Sequence, residues 1–151
     1  MIWVLLAAAT ALALGAAIML RRRPVATPEP VERRFAHPEE LQSRIEELSG
    51  EVGPMVVPQL LRAASDDIGR NLALLEAPAT EEETRRGLHS LIGILDTIGC
   101  VTLADSYRAL QDDFRTGGMD EGRRNEALTE TRLLRAELDA LTRPEGETAG
   151  G

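Results

Sequence analysis

The chain has 151 residues, 17 basic against 25 acidic, a formal net charge of -8 and only 3% aromatic residues. Every basic residue is arginine, and so acidic a balance excludes a nucleic-acid binder, which needs a basic face to displace counterions. One cysteine, Cys100, excludes an intramolecular disulfide, and with His37 and His89 it cannot build a zinc cage, so no metal is expected.

Residues 2–20 form an uncharged run of Leu, Ala, Ile and Val with Trp3 near its start. At about 1.5 Å per residue such a helix reaches roughly the thickness of a bilayer core, and Trp3 suits the interface. A secretory signal peptide is the competing reading, but it wants positive charge before the apolar run and a small-residue cleavage site after it. Here Arg21, Arg22 and Arg23 come after, so residues 1–20 are expected to be an uncleaved single-pass anchor. By the positive-inside rule these arginines, with Arg33 and Arg34, place the remainder on the cytoplasmic side of the inner membrane. Residues 21–36 read as a basic, proline-rich juxtamembrane linker, with three prolines between positions 24 and 30. From Phe35 onward 12 arginines face 23 acids, a net of -11, so the membrane-proximal arginines conceal a strongly acidic domain.

Residues 37–143 read as a succession of helices, since Ala, Leu, Glu and Arg dominate and β-branched and aromatic residues are few. Pro38, Glu39 and Glu40 open the first, with the stripe Leu41, Ile45, Leu48, and Ser49-Gly50 is expected to end it. The second spans about 54–77, with Val57, Leu60, Leu61, Ala64, Ile68, Leu72 and Leu75 at helical spacing and Pro58 as a candidate true start. Thr80 with Glu83 makes a capping box for the third, which runs to about Ile98 before Gly99 breaks the chain. Leu103, Tyr107, Leu110 and Phe114 mark the fourth, up to Gly117-Gly118. Asp120 caps the fifth, whose stripe is Leu128, Leu134, Leu138 and Leu141. Residues 144–151 form a polar, Gly-rich tail expected to be disordered. The expected fold is therefore all-α: an antiparallel four-helix bundle with a short N-terminal helix across it, after one transmembrane helix.

The third helix carries the chemical signal. Leu88, Leu91, Ile92, Leu95 and Ile98 form one apolar face, and His89 flanks it. Gly93 lies one turn further along beside His89. A mid-helix glycine costs about 1 kcal/mol relative to alanine, so it requires a reason: access to the imidazole from outside, or close packing of a neighbouring helix. His89 is followed by Gly93 and Gly99, four and ten residues on. This pattern resembles the histidine-containing phosphotransfer (HPt) domain of bacterial two-component phosphorelays, whose signature is His, a Lys-Gly pair three and four residues on, then Gly ten on. The resemblance covers about residues 54–141.

It implies that His89 is the phosphoacceptor, exchanging a phosphoryl group with the aspartate of a response-regulator receiver domain. Gly93 would give the regulator clearance to dock, and Gly99 would be the turn between the two central helices. No cofactor is implied, because neutral imidazole is itself the nucleophile and the magnesium and acidic pocket belong to the regulator. Two positions depart from the signature. Ile92 replaces the lysine, and Asp96, on the His89 face, sets a negative charge where a phosphoryl group would sit. Arg85 and Arg86, about one turn before His89, are candidate compensating charges, or simply solvated residues paired with Glu81 and Glu82. The alternative function is an HPt-like adaptor that binds a receiver or a hybrid histidine kinase at the membrane without carrying phosphate. A self-associating membrane protein is a third reading. Elsewhere, Cys100 reads as a small buried residue, His37 as a surface residue of a cap region, and Asp66-Asp67 and Asp112-Asp113 as solvated faces.

Overall fold

Five helices and no strand form among the described residues, 32–78 and 80–144 of this computed structural model. The expected anchor at 1–20, most of the linker at 21–36 and all but Pro144 of the tail at 144–151 lie outside the described residues. No helix among those described is long and apolar enough to cross a membrane. The helices are α1 (Pro38–Val52), α2 (Val57–Glu76), α3 (Glu81–Thr97), α4 (Val101–Arg115) and α5 (Glu121–Leu141).

Local signals set most of the ends. Glu83 N–H donates to Thr80 Oγ1 at 3.1 Å while Thr80 N–H donates to the Glu83 carboxylate at 3.1 Å, the reciprocal capping box. Asp120 caps α5 by accepting from Arg123 N–H at 2.8 Å. At the other end of α3 the chain stops by a Schellman motif: Cys100 N–H reaches back to Leu95 C=O at 2.9 Å and Gly99 N–H to Asp96 C=O at 3.2 Å. Gly99 carries φ +77, and a Cβ there would meet Arg44 Cβ at 2.6 Å, so only glycine fits. The same motif closes α4, with Gly118 N–H on Asp113 C=O and Gly117 N–H on Phe114 C=O.

Two expected ends move. α1 continues through Ser49-Gly50 to Val52, because the Ser49 hydroxyl bonds back to Ile45 C=O within the helix and the chain leaves only at Gly53, φ +89. α2 begins at Val57 rather than Pro54, since a proline is comfortable only in the first helical turn and Pro58 takes that place.

The connection between α3 and α4 is only Ile98, Gly99 and Cys100, so the chain folds straight back and the two helices lie side by side. α3 also packs on α2, α4 on α5, and α5 on α2, which closes a ring of four helices, while α1 touches α2. The ring encloses Ile68, Leu91, Leu95, Tyr107, Leu134 and Leu138, each essentially removed from solvent. Tyr107 and Thr131 are two polar members of this interior. Their hydroxyls lie 2.7 Å apart, and Thr131 donates to Ala127 C=O at 2.7 Å, so both are satisfied.

Two residues expected in the apolar stripes face water: Leu60 is 41% and Leu141 47% exposed. At Leu60 the inward position is taken by its neighbour Leu61, one helical step of about 100° away. At Leu141 the helix has reached its end. Conversely, Phe35 is buried and Ala36 N–H donates to the Glu130 carboxylate of α5, so packed structure extends upstream of Pro38. α1 is tied to the α3–α4 turn by two polar links: Arg44 Nε–H donates to Thr97 C=O at 3.2 Å, and Glu40 accepts from the Thr102 backbone and hydroxyl. Glu40 therefore caps the start of α4, whose own N-cap residue, Cys100, offers no side-chain acceptor bond.

Candidate functional site

His89 sits mid-way along α3 on its outer face, exposed, and makes no hydrogen bond or ion pair among the described residues. The apolar side of the same helix points inward, with Leu88, Leu91 and Leu95 fully buried and Ile92 packed part-way against the core. At about 100° per residue, the outward stripe through His89 takes in Arg85, Gly93 and Asp96.

Gly93 is the informative neighbour. A Cβ built at this position has nothing within 4 Å. The other glycines in the interiors of α2 and α3 behave differently, whereas Gly50, near the end of α1, is open in the same way. At Gly69 a Cβ would meet the Arg135 guanidinium at 2.8 Å, and at Gly87 it would meet Leu75 Cδ2 at 2.9 Å. Those two glycines are explained by internal packing. Gly93 is not, and close approach of a neighbouring helix, one of its two expected reasons, is overturned. The gap beside it opens into a shallow groove of about 390 Å³ between α2 and α3, lined by Asp67, Asn71, Ser90, Gly93, Ile94 and Thr97.

Asp96 is not a bare negative charge. The Arg108 guanidinium of α4 donates to its carboxylate at 2.5 Å and to Asp105 at 2.6 Å. Hydrogen bonds to Asp96 and then to Asp105 raise the Arg108 pKa above its ordinary value. Arg108 is the residue that sequence reasoning missed on this face. Arg85 is turned to its own helix, pairing with Glu82 at 2.5 Å, while Arg86 is exposed and makes no ion pair among the described residues. The two arginines one turn before His89 thus differ: among the described residues one is engaged and one is not. Arg85 also lines a broader cavity of about 750 Å³ at the opposite end of α3 from Gly99, with Phe114, Arg115 and Arg124 among its walls.

Gly99 forms the turn between α3 and α4, where the sequence pattern put it. Cys100 next to it is fully buried, and burial, with a smaller contribution from the charge of Glu40, pushes its thiol up to about 12. It is a thiol, not a thiolate, at neutral pH and no nucleophile. No group of three or more metal-ligating side chains occurs among the described residues. The chemistry available on the outer face of α3 is therefore that of one accessible imidazole beside a cleared patch of helix, with a paired guanidinium and carboxylate two turns on.

Comparison with protein-family models, with curated proteins and with solved structures yields no match to this chain.

Proposed function

We propose that the protein is a histidine phosphotransfer carrier of a bacterial two-component phosphorelay. In this reading His89 receives a phosphoryl group from, and returns it to, the aspartate of response-regulator receiver domains. The observation that supports it most is the pairing of an exposed His89, unpartnered among the described residues, with Gly93, a helix-interior glycine that no described neighbour requires. A residue that costs about 1 kcal/mol in helix stability and meets no neighbour suits a surface kept clear for an incoming protein. The closed ring of α2, α3, α4 and α5 is consistent with an antiparallel four-helix bundle of the HPt type, α1 lying against it. Residues 2–20, outside the described structure, would anchor it at the inner membrane with the helical domain in the cytoplasm.

The chemistry needs little from the carrier. An unprotonated imidazole nitrogen of His89 attacks phosphorus, an N–P bond forms, and the P–O bond to the receiver aspartate breaks with the electron pair leaving on its carboxylate. The proton on the second ring nitrogen neutralises part of the phosphoryl charge until solvent takes it. The carrier contributes position and charge, and the donor contributes its metal and acidic pocket. In the test, a receiver phosphorylated at its aspartate should pass label to the full chain. The label should be acid-labile and absent in His89→Gln. Failure with every receiver of the same genome would refute transfer.

Ile92 favours a second reading, docking of a receiver or hybrid kinase without transfer, because it removes the helix's own cation beside His89. Binding that survives His89→Gln but fails in Gly93→Leu, with no label ever found, would establish it.

A further inference from the structure

We propose that Arg108, supplied by the neighbouring helix, is the cation that steadies a phosphoryl group on His89, held in reserve by Asp96 and Asp105 until that group arrives. The inference rests on the carrier reading above. Its first support is register. The α3–α4 hairpin turns at Gly99, and Ser90 and Arg108 stand nine residues to either side of it, so the Arg108 backbone lies level with the turn of α3 that carries His89. Helical side chains lean toward the helix N-terminus. For Arg108 that direction is toward the turn, where its guanidinium meets Asp96.

The second support is the face it occupies. Asp96 is seven residues from His89, which is about 20° apart around α3 and about 10 Å along it. Arg108 spans that level from the side, and both it and Asp96 remain over 40% exposed, so the pair is open to exchange. Solvent-exposed ion pairs are worth little, and a dianionic phosphoryl group competes with either carboxylate for the guanidinium because it offers more charge and two oxygens to the planar guanidinium fork. In the phosphorylated state the side chain rotates from the carboxylates toward the phosphoryl oxygens. The arrangement accounts at once for the two departures of the motif. The lysine missing at Ile92 has its charge restored from α4, and the acid at Asp96 becomes the parking place for that charge.

The test uses the full-length chain and phosphoramidate as phosphoryl donor, whose N–P bond breaks with ammonia leaving as the bond to His89 forms. The labelling rate is read by phosphorus NMR in wild type, His89→Gln, Arg108→Gln, Arg108→Lys and Asp96→Asn, with folding checked by circular dichroism. Arg108→Gln should lower the rate about tenfold or more, as expected for loss of one hydrogen bond to a charged group, and Arg108→Lys should restore most of it. Asp96→Asn should raise it by freeing the guanidinium. A purely structural pair would make Asp96→Asn and Arg108→Gln lose activity together, which would overturn the proposal. So would an Arg108→Gln rate equal to wild type. Absence of label in wild type itself is a different failure: it refutes phosphate carriage at His89, and the role of Arg108 falls with it.

Discussion

Replacing Gly93 with alanine gives opposite signs for stability and for docking, which makes it a demanding perturbation. The added Cβ meets nothing within 4 Å, so the substitution introduces no clash. Alanine in a helix interior is about 1 kcal/mol better than glycine, part of it through the reduced freedom of the unfolded chain. Gly93→Ala should therefore stabilise the helical domain by about 0.5–1 kcal/mol, or a rise of a few degrees in Tm for a domain of this size. Gly87→Ala is the control: its Cβ would lie 2.9 Å from Leu75 Cδ2, so the propensity gain is offset and the net change should be near zero or negative. Urea titration followed by far-ultraviolet circular dichroism reads both, with an unchanged slope confirming a simple two-state shift. Gly93→Leu should keep stability at least at the wild-type level while reducing transfer from a phosphorylated receiver about tenfold or more. Destabilisation by Gly93→Ala would show that the patch is occupied within the protein and would refute the cleared-surface argument.

Other consequences follow from the packing. Gly99→Ala should cost about 1–2 kcal/mol or more, because φ +77 is unfavourable for an L side chain and Arg44 Cβ stands 2.6 Å from the new atom; thermal unfolding reads it. Tyr107→Phe should lose about 1 kcal/mol through the 2.7 Å hydroxyl pair with Thr131, seen as a lower urea midpoint. Burial raises both Cys100 and Tyr107 to about 12, against ordinary values of 9.0 and 10.0. Above pH 9 the unfolded chain therefore releases protons that the folded chain retains, so stability is intact below that point and falls as pH rises toward 12. The slope should approach about 1.4 kcal/mol per pH unit for each group, and Cys100→Ala should remove the part that begins nearest pH 9.

Where the sequence announced its structure, it did so through local chemistry. Thr80 with Glu83, Asp120, Pro38 and the glycines at 99 and 117 mark helix ends because caps and left-handed turns involve residues close in the chain. His89 was legible as an outward residue because the apolar spacing of Leu88, Leu91 and Leu95 fixes the opposite face. The contacts that span the chain were not legible. The Arg108–Asp96 pair joins two helices, Glu40 caps Thr102 from 62 residues away, and Glu130 holds Ala36 N–H from 94 away. None leaves a periodic trace, since a surface arginine or glutamate looks the same whether it meets water or a distant helix. Gly93 was ambiguous for the same reason. Its spacing from His89 was visible, but whether another helix filled the gap depended on where α2 and α4 came to lie. Leu60 and Leu141 were misplaced because a stripe drawn from spacing alone does not know how wide the buried strip is, or where it ends.

The central claim is that His89 carries a phosphoryl group. Full-length protein incubated with a phosphorylated receiver domain and then digested should yield one labelled peptide, containing His89, stable in alkali and lost in acid. That label is expected in wild type and not in His89→Gln. Label on an aspartate, or equal labelling of wild type and His89→Gln, would contradict it.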